Sequence, residues 1–190
     1  MSGHRSLADT EKAVQAKIGD TPVSHERMAA VAHLYRAAAA VRQHFENSVL
    51  RGVELTWTSF VVLWVVWTGG ERETRQVAEE AGISKGTLTG VARTLQSRGL
   101  LERTAHPADG RLALLALTPA GERLMARLFP EFNAEEVFVT AGLTDDEAFD
   151  LAELLHRIVA QIETHGEDRR LELLDGRDPH PRRSGRRAKR

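Results

Sequence analysis

The stretch that decides the fold runs from Thr74 to Gly121 and reads TRQVAEEAGISKGTLTGVARTLQSRGLLERTAHPADGRLALLALTPAG. It begins with the pattern of a short helix, in which Thr74 is the expected cap and Gly82 suits the left-handed turn that ends a helix. Ser84 then caps a second helix that ends near Gly99. The apolar residues of this helix recur at the spacing of one buried face: Leu88, Val91, Ala92 and Leu95. Two helices joined by a short turn containing glycine are predicted to form a helix-turn-helix, whose second helix normally lies in the major groove of DNA.

The outward positions of the second helix carry the candidate contacts with DNA. Most of these residues are small, so the helix can approach base edges closely, whereas Lys85 and Arg93 can reach phosphates or guanine acceptors. The contacts that we expect from the two helices and their caps come from Thr74, Ser84, Lys85, Gly86, Thr87, Thr89, Gly90 and Arg93.

A β-hairpin is predicted directly after the second helix. Residues 100–104 and 112–117 have the composition of strands, and residues 106–110 (His-Pro-Ala-Asp-Gly) supply the turn formers of a hairpin tip. Such a hairpin makes a wing, with Arg103 and Arg111 on either side of its tip. An arginine in this position is well placed to enter the adjacent narrow minor groove, where the negative potential is enhanced.

These residues resemble the MarR (multiple antibiotic resistance regulator) family of winged-helix transcription factors, from about residue 24 to residue 165. The resemblance implies that Asp109 and Arg111 carry the wing tip and its minor-groove contact. The chain departs from the family at Gly90 and Gly110, where a basic residue is frequent. The matching pieces are Leu55-Thr56, Gln76 to Glu79, Gly82 to Ser84, Thr87 to Thr89, Leu95, Arg98 to Arg103, Pro107, Asp109, Arg111 and Leu117 to Gly121.

The resemblance also implies an obligate homodimer, because in that family the N-terminal and C-terminal helices of two chains interlock. A two-fold symmetric dimer matches a pseudo-palindromic operator in double-stranded DNA, with half-sites about one helical turn apart. We therefore expect a regulator of transcription that represses its targets and is released by a small ligand.

The expected ligand is an aromatic or phenolic acid, which in the resembled family binds between the dimer helices and the DNA reader. A buried carboxylate needs a cationic partner, and an aromatic ring needs apolar walls. For each candidate the alternative is an ordinary place in the core or on the surface. The candidates are Tyr35, Arg36, Arg42, Trp57, Phe60 and Trp64.

The sequence on both sides of the reader predicts helices, so we expect a mainly α fold with a small β-hairpin wing. A long helix is expected from Ser24 to about Leu50, an apolar helix capped by Thr56 follows, and later helices are expected to stop near Pro130 and to place Val137 and Phe138 inward. The expected parts are an N-terminal extension at 1–23 (an extra helix or a frayed leader), a dimerisation helix at 24–54, the winged helix-turn-helix at 55–121, C-terminal dimerisation helices at 122–175 and a disordered basic tail at 176–190.

Charge is unevenly distributed along the 190 residues, although the net charge is only -1. Residues 122–175 have five basic and fourteen acidic residues, a net charge of -9, whereas residues 176–190 have seven basic residues and one acidic residue, a net charge of +6. The basic tail is either a non-specific arm that binds phosphates or a solvated segment. There is no cysteine, which excludes disulfides, thiolate metal sites and sensing by cysteine oxidation.

Other functional classes have weaker signals. We expect no enzyme and no cofactor, because the chain has no phosphate-binding glycine loop, no Gly-x-Ser-x-Gly elbow and no zinc-hydrolase motif. A winged helix that contacts proteins remains an alternative, and so does a zinc-responsive regulator. Candidate ligands of such a metal are His25, Glu26, His33, His44, Glu46, His106, His156 and His165.

The apolar run from Trp57 to Trp67 is too short to cross a bilayer and no apolar signal core precedes it, so we expect a cytoplasmic protein.

Overall fold

The computed structural model describes residues 7–19, 21–109 and 111–174, so the tail at 176–190 and Gly110 lie outside the described residues. The chain divides into two compact units, residues 1–135 and residues 136–190. The described part is mainly helical with one small antiparallel sheet, which confirms the predicted fold class. Its elements are α1 (Leu7–Ile18), α2 (His25–Asn47), α3 (Val49–Gly52), α4 (Trp57–Gly69), β1 (Arg72–Glu73), α5 (Thr74–Glu80), α6 (Lys85–Ser97), β2 (Leu101–Ala105), β3 (Ala113–Leu117), α7 (Pro119–Val139) and α8 (Asp145–Leu174).

Helices α5 and α6 form the predicted helix-turn-helix. Gly82 lies between them with a positive φ of 63°, and Gly99 follows α6 with a φ of 67°, so both glycines adopt the left-handed turn that the sequence indicates. Ser84 caps α6, because its hydroxyl accepts a hydrogen bond from the Thr87 backbone N–H at 3.1 Å. These three positions were predicted correctly.

The prediction that Thr74 caps α5 was wrong. Glu73 is the cap, and the Gln76 side-chain carbonyl accepts a hydrogen bond from the Glu73 backbone N–H at 3.1 Å. The physical reason is that Glu73 pairs with Leu114 in the sheet, which keeps Glu73 extended and makes Thr74 the first helical residue.

The sheet has three strands in the order β1-β3-β2, one more than the hairpin that the sequence predicts. The wing strands β2 and β3 pair from Leu101 opposite Leu117 to Ala105 opposite Ala113. The added strand β1 pairs Arg72 with Leu115. Because β1 immediately precedes α5, the sheet ties the base of the wing to the start of the helix-turn-helix.

Helix α4 supplies the centre of the core in residues 1–135, as its apolar composition predicts. Thr56 caps it, since its hydroxyl accepts from the Ser59 backbone N–H at 3.1 Å. Trp57, Trp64 and Trp67 are half-buried. The buried residues of α4 are Ser59, Phe60, Val62, Leu63, Val65 and Val66.

No single helix among the described residues is long and apolar enough to cross a membrane.

The first long helix ends earlier than predicted. It stops at Asn47, the chain bends at Ser48 (φ -98°, ψ -105°), and α3 follows. Phe45 and Leu50 are both buried. On an uninterrupted helix their side chains would point about 140° apart, so the bend lets both enter the core.

Helix α7 continues through Pro130, where the sequence predicts a stop. A proline inside a helix removes one backbone hydrogen bond, but Leu128 and Phe132 are buried on either side of it and hold the helix together. Val137 and Phe138 were expected to point inward and are instead 63% and 64% exposed.

Helix α8 in the unit formed by residues 136–190 begins with a capping box, because the Glu147 carboxylate accepts from the Thr144 backbone N–H at 2.8 Å and the Thr144 hydroxyl accepts from the Glu147 backbone N–H at 3.3 Å. No residue of α8 is buried. Large apolar side chains along it are exposed, which leaves a face suited to a further helix: Phe149, Leu151, Leu154, Ile158, Val159 and Ile162.

Candidate nucleic-acid interface

Helix α6 has one buried face and one open face. Leu88 and Leu95 are buried against the rest of the helix-turn-helix. On the opposite side every residue is exposed along the line i, i+4, i+7, i+11. The open face is therefore available to a partner, and its line consists of Gly86, Gly90, Arg93 and Ser97.

The hydroxyl groups of α6 are engaged within the helix. The Ser84 and Thr87 hydroxyls hydrogen-bond each other at 2.8 Å. The Thr89 hydroxyl donates to the Lys85 carbonyl at 2.8 Å, and the Thr94 hydroxyl donates to the Gly90 carbonyl at 3.2 Å. The long polar groups on the exposed surface of this helix are consequently the cations Lys85 and Arg93, together with the amide of Gln96.

A groove of about 500 Å³ lies between α6 and the wing, and we call it the α6–wing groove. Four cationic side chains line it, and among the described residues Lys85, Arg93 and Arg103 form no ion pair with a carboxylate. The Arg75 guanidinium donates to Glu79 at 2.8 Å, and this hydrogen bond raises the pKa of Arg75 above its ordinary value, so Arg75 stays charged. The lining residues are Thr74, Arg75, Lys85, Leu88, Thr89, Ala92, Arg93, Gln96, Arg103, Leu112 and Leu115.

The wing tip is shaped by Asp109. Its carboxylate accepts from the Arg111 backbone N–H at 2.9 Å, and its carbonyl accepts from the Leu112 backbone N–H at 2.9 Å. Asp109 therefore positions the backbone of Arg111. Arg103 and Arg111 both line a shallow depression of about 280 Å³ on the wing. Arg103 and Arg111 thus belong to one surface of the wing, as their places on either side of the tip suggest.

The residues expected to bind DNA fall into three neighbouring sets. Thr74, Lys85, Thr89, Arg93 and Arg103 line the α6–wing groove. The depression on the wing contains Arg103 and Arg111, with Asp109 between them in sequence. Ser84 and Thr87 form the N-terminal cap of α6, and Gly86 and Gly90 lie on its open line.

Two polar residues of the α6–wing groove were not among the contacts predicted from the sequence. Gln96 lies three residues after Arg93, so the helical spacing that selects Arg93 also selects Gln96. Arg75 belongs to α5 and reaches the groove only because β1 and the wing place the start of α5 beside α6. No local pattern indicates that position.

The candidate ligand-binding residues are only partly brought together. Trp57, Phe60 and Trp64 share an aromatic cluster with Phe132, which stacks on Phe60 with ring centroids 4.1 Å apart. Tyr35 is 78% exposed and makes no ring contact among the described residues.

The two candidate arginines of α2 have different surroundings. Arg42 forms an ion pair with Glu46 at 3.3 Å, and Glu46 also accepts from the Trp57 backbone N–H at 3.1 Å. Arg42 is therefore connected to the start of α4 through one carboxylate. Arg36 lies on the same helix and is half-buried.

The alternative of a zinc-responsive regulator was based on histidine and glutamate side chains. Within the part of the chain that the structure describes, no three His, Asp or Glu side chains come together as a metal site. His44 contacts Glu135, which links α2 to α7. The His106 ring accepts from the Ala108 backbone N–H at 3.2 Å within the wing tip.

Comparisons with known proteins identify the family of the chain. The sequence model described as "MarR family" matches residues 55–112. The HTH-type transcriptional regulator YwaE of Bacillus subtilis is 32% identical over 164 residues, which are 85% of this chain and 96% of YwaE.

Solved structures of other regulators are also similar to this chain. A structure of Bordetella bronchiseptica BpsR, whose DNA binding is regulated by 6-hydroxynicotinic acid, has 29% identity and a TM-score of 0.63 and covers 68% of this chain and 98% of BpsR. The Streptomyces coelicolor regulator PcaV, in complex with its natural ligand, has 26% identity and a TM-score of 0.58 and covers 75% of this chain and 94% of PcaV. The helix-turn-helix, the wing and these relatives together show that the chain belongs to the MarR family, whose members are DNA-binding regulators of transcription and not enzymes.

Proposed function

We propose that this regulator is a homodimeric repressor that binds a pseudo-palindromic operator through α6 and the wing and is released by an aromatic acid. The observation that carries the proposal is the cationic surface that extends from Lys85 and Arg93 on α6 to Arg103 and Arg111 on the wing. Cations that no carboxylate among the described residues neutralises favour a polyanionic partner, and DNA is the partner that this family binds.

Each part of the surface suits one feature of a duplex. Helix α6 enters the major groove with its open face, where Arg93 reaches base edges or phosphates. Arg111 extends from the wing into the neighbouring minor groove, and Arg103 and Lys85 bind phosphates along its edges. The remaining candidates, Thr74 and the cap of α6, position the helix at the backbone.

A second copy of the chain is the occupant that we propose for the exposed face of α8. Phe149 and Ile162 are 66% and 64% exposed, and an apolar helical face of this kind is normally covered. In this proposal residues 24–54 and 122–175 form the dimer and residues 55–121 read DNA. A two-fold axis then gives the two copies of α6 the symmetry of a palindrome.

The effector is proposed to be a hydroxylated aromatic carboxylic acid, the chemical class to which the ligand of BpsR belongs. The aromatic cluster around Trp57, Phe60 and Trp64 offers ring contacts, and Arg36 or Arg42 offers a cationic partner for the carboxylate. Tyr35 would join only in the dimer, since it is exposed on a single chain. Binding that favours a different spacing of the two α6 helices lowers operator affinity. We place this function in the cytoplasm, where the chromosome is.

The test is binding to the DNA upstream of the protein's own gene across a salt series, with an unrelated duplex as competitor. We expect tight binding that survives the competitor. The Arg111→Ala variant should bind about tenfold more weakly or worse and should show a smaller salt dependence. Arg157→Ala is the matched control, because Arg157 is an exposed arginine of α8 that lies off the line of Leu151, Ile158 and Ile162 on its apolar face.

Two results would contradict the proposal. Equal affinity for both duplexes at every salt concentration would reduce the interaction to general electrostatics, and unchanged affinity of Arg111→Ala would remove the wing from the interface. Hydroxylated aromatic acids added to the same assay should release the DNA. Release by none of them would contradict the effector class and leave the DNA-binding part in place.

A further inference from the structure

Thr89 is central to the exposed surface of α6 that faces the wing. Lys85 precedes it by four residues and Arg93 follows it by four, so both cations are its neighbours on the helix surface. Thr89 also lines the α6–wing groove. Any base edge that lies between the two cations therefore meets Thr89.

The polar end of Thr89 is already used inside the protein. Its hydroxyl donates to the Lys85 carbonyl at 2.8 Å, a backbone hydrogen bond typical of threonine within a helix. The proton of this hydroxyl is therefore engaged, and the γ-methyl is the other end of the side chain. Thr89 can thus offer a partner an apolar contact without losing a hydrogen bond.

Two glycines leave the surface beside Thr89 bare. A β-carbon added to Gly90 would meet nothing within 4 Å, and one added to Gly86 would meet only the Ser84 hydroxyl oxygen at 3.8 Å. Packing within the chain therefore requires neither glycine. Without side chains at these two positions, a base edge can approach the helix closely enough to reach a side chain as short as threonine.

We propose that Thr89 is a specificity-determining residue and that its methyl group reads the 5-methyl group of a thymine in each half-site. Thymine alone among the four bases presents a methyl group in the major groove, and a threonine methyl is a suitable apolar partner for it. The flanking cations Lys85 and Arg93 hold the backbone or a neighbouring guanine. This inference rests on the proposed function, because it requires α6 to lie in the major groove.

The test removes one methyl group at a time from either side of the contact. A duplex is first selected from a randomised library with the full-length protein, and each of its thymines is then replaced by deoxyuridine, which pairs identically and lacks only the 5-methyl. Wild-type protein should lose affinity about threefold to tenfold at one thymine of each half-site. Thr89→Ser, which keeps the hydroxyl and lacks the methyl, should bind the thymine and deoxyuridine duplexes equally.

Two control variants separate this contact from a general weakening. Thr89→Val keeps a methyl group and should keep the preference for thymine. Thr94→Ser removes a methyl from the same helix outside the groove lining and should also keep it. Each preference is a ratio measured on one protein, so an overall loss of affinity cancels, and thermal unfolding shows that each variant is folded.

The proposal is overturned if wild-type protein binds every deoxyuridine duplex as tightly as the parent, or if Thr89→Ser keeps the preference. A selected site without a thymine opposite α6 would also contradict it. These results leave sequence-specific binding intact and so differ from a failure of the proposed function, in which no duplex would be enriched over the library.

Discussion

At the level of single residues, the packing around Gly121 leaves no room for a side chain. A β-carbon at this position would overlap the carbonyl oxygen of Leu100, a backbone atom that cannot move aside easily. Gly121 also donates its backbone N–H to the Thr118 hydroxyl at 3.1 Å, and that hydroxyl donates to the Gly99 carbonyl at 2.6 Å. The start of α7 is thus fitted closely against the end of α6 and the start of β2.

Gly121→Ala should therefore lower the free energy of unfolding by about 2 kcal/mol, although alanine is the better helix former. Urea unfolding of the full chain measures the change. Gly90→Ala is the matched control for stability, because Gly90 is also inside a helix and has open space around it. This control should leave the free energy of unfolding unchanged or raise it by up to about 1 kcal/mol. Equal effects of the two substitutions would contradict the close fit at Gly121.

Helix caps that depend only on nearby residues in the sequence were predictable, whereas the cap that depends on strand pairing was not. Ser84 and Thr56 cap helices with their own hydroxyls, and the sequence reveals both. Glu73 is not among the preferred caps, and it becomes one because strand pairing with Leu114 holds it extended. Thr74, the better cap by residue type, was predicted in its place.

At the level of elements, Arg98 joins the end of α6 to the turn between α3 and α4. Its guanidinium donates to the Glu54 carbonyl at 2.7 Å and to the Val53 carbonyl at 2.8 Å. Glu54 has a positive φ of 52°, which is uncommon for a residue with a side chain. Two hydrogen bonds from one planar group therefore support a turn that is costly on its own.

Arg98→Ala should lower the free energy of unfolding by about 1–2 kcal/mol, a modest amount because Arg98 is exposed. Arg98→Lys, which cannot donate in the same fork, should recover part of the loss. Chemical denaturation of both variants measures these changes. Full stability of Arg98→Ala would show that the turn needs no support from α6.

The start of α8 should be sensitive to acid. Hydrogen bonds from the Thr144 backbone N–H and then from its hydroxyl lower the pKa of Glu147 below its ordinary value of 4.5. Because the folded form has the lower pKa, the contribution of Glu147 is complete above pH 4.5 and is lost as the pH falls through the lowered value.

Amide hydrogen exchange at Thr144 measures this effect, with the amide of Phe60 in α4 as the internal reference. Protection of Thr144 should decrease below pH 4.5 before that of Phe60. In Glu147→Gln the carboxamide does not titrate, so this early decrease should disappear. An identical pH profile in the wild type and in Glu147→Gln would contradict the capping role.

The elements that the sequence predicted least well are those whose limits depend on tertiary packing. Strand β1 has two residues, too few for any alternation to be visible, and it exists because β3 offers it an edge. Helix α2 ends at Asn47 because the core accepts both Phe45 and Leu50. Pro130 does not end α7, because burial around it outweighs one lost hydrogen bond. Each outcome requires knowledge of neighbours that are distant in sequence.

At the level of the whole molecule, the apolar face of α8 should control the oligomeric state. The double variant Ile158→Asp/Ile162→Asp places two charges on this exposed face, where they would be buried by a second copy. We expect a monomer, or a much weaker dimer, by analytical ultracentrifugation, together with loss of tight operator binding. Glu153→Ala, at an exposed polar position of the same helix, should remain dimeric. A double variant that stays dimeric would place the interface elsewhere.

The cationic surface on α6 and the wing was more predictable from the sequence than the shared surroundings of the ligand candidates. Lys85 and Arg93 belong to one helix and Arg111 to one hairpin, so spacing alone places the lysine and arginine side chains of α6 together and Arg111 beside the wing tip. The ligand candidates come from two different helices, and only the α4 members are seen to share a cluster. Tyr35 and the arginines of α2 have no local pattern that fixes which neighbours they meet.

If two copies of α6 and the wing bind a symmetric DNA site, hydroxyl-radical footprinting of the full-length protein on the selected duplex should show this directly. We expect two protected regions related by two-fold symmetry, centred about 10 base pairs apart, with the outer minor-groove protection lost in Arg111→Ala. A single protected region, or uniform protection along the duplex, would contradict binding by a symmetric dimer.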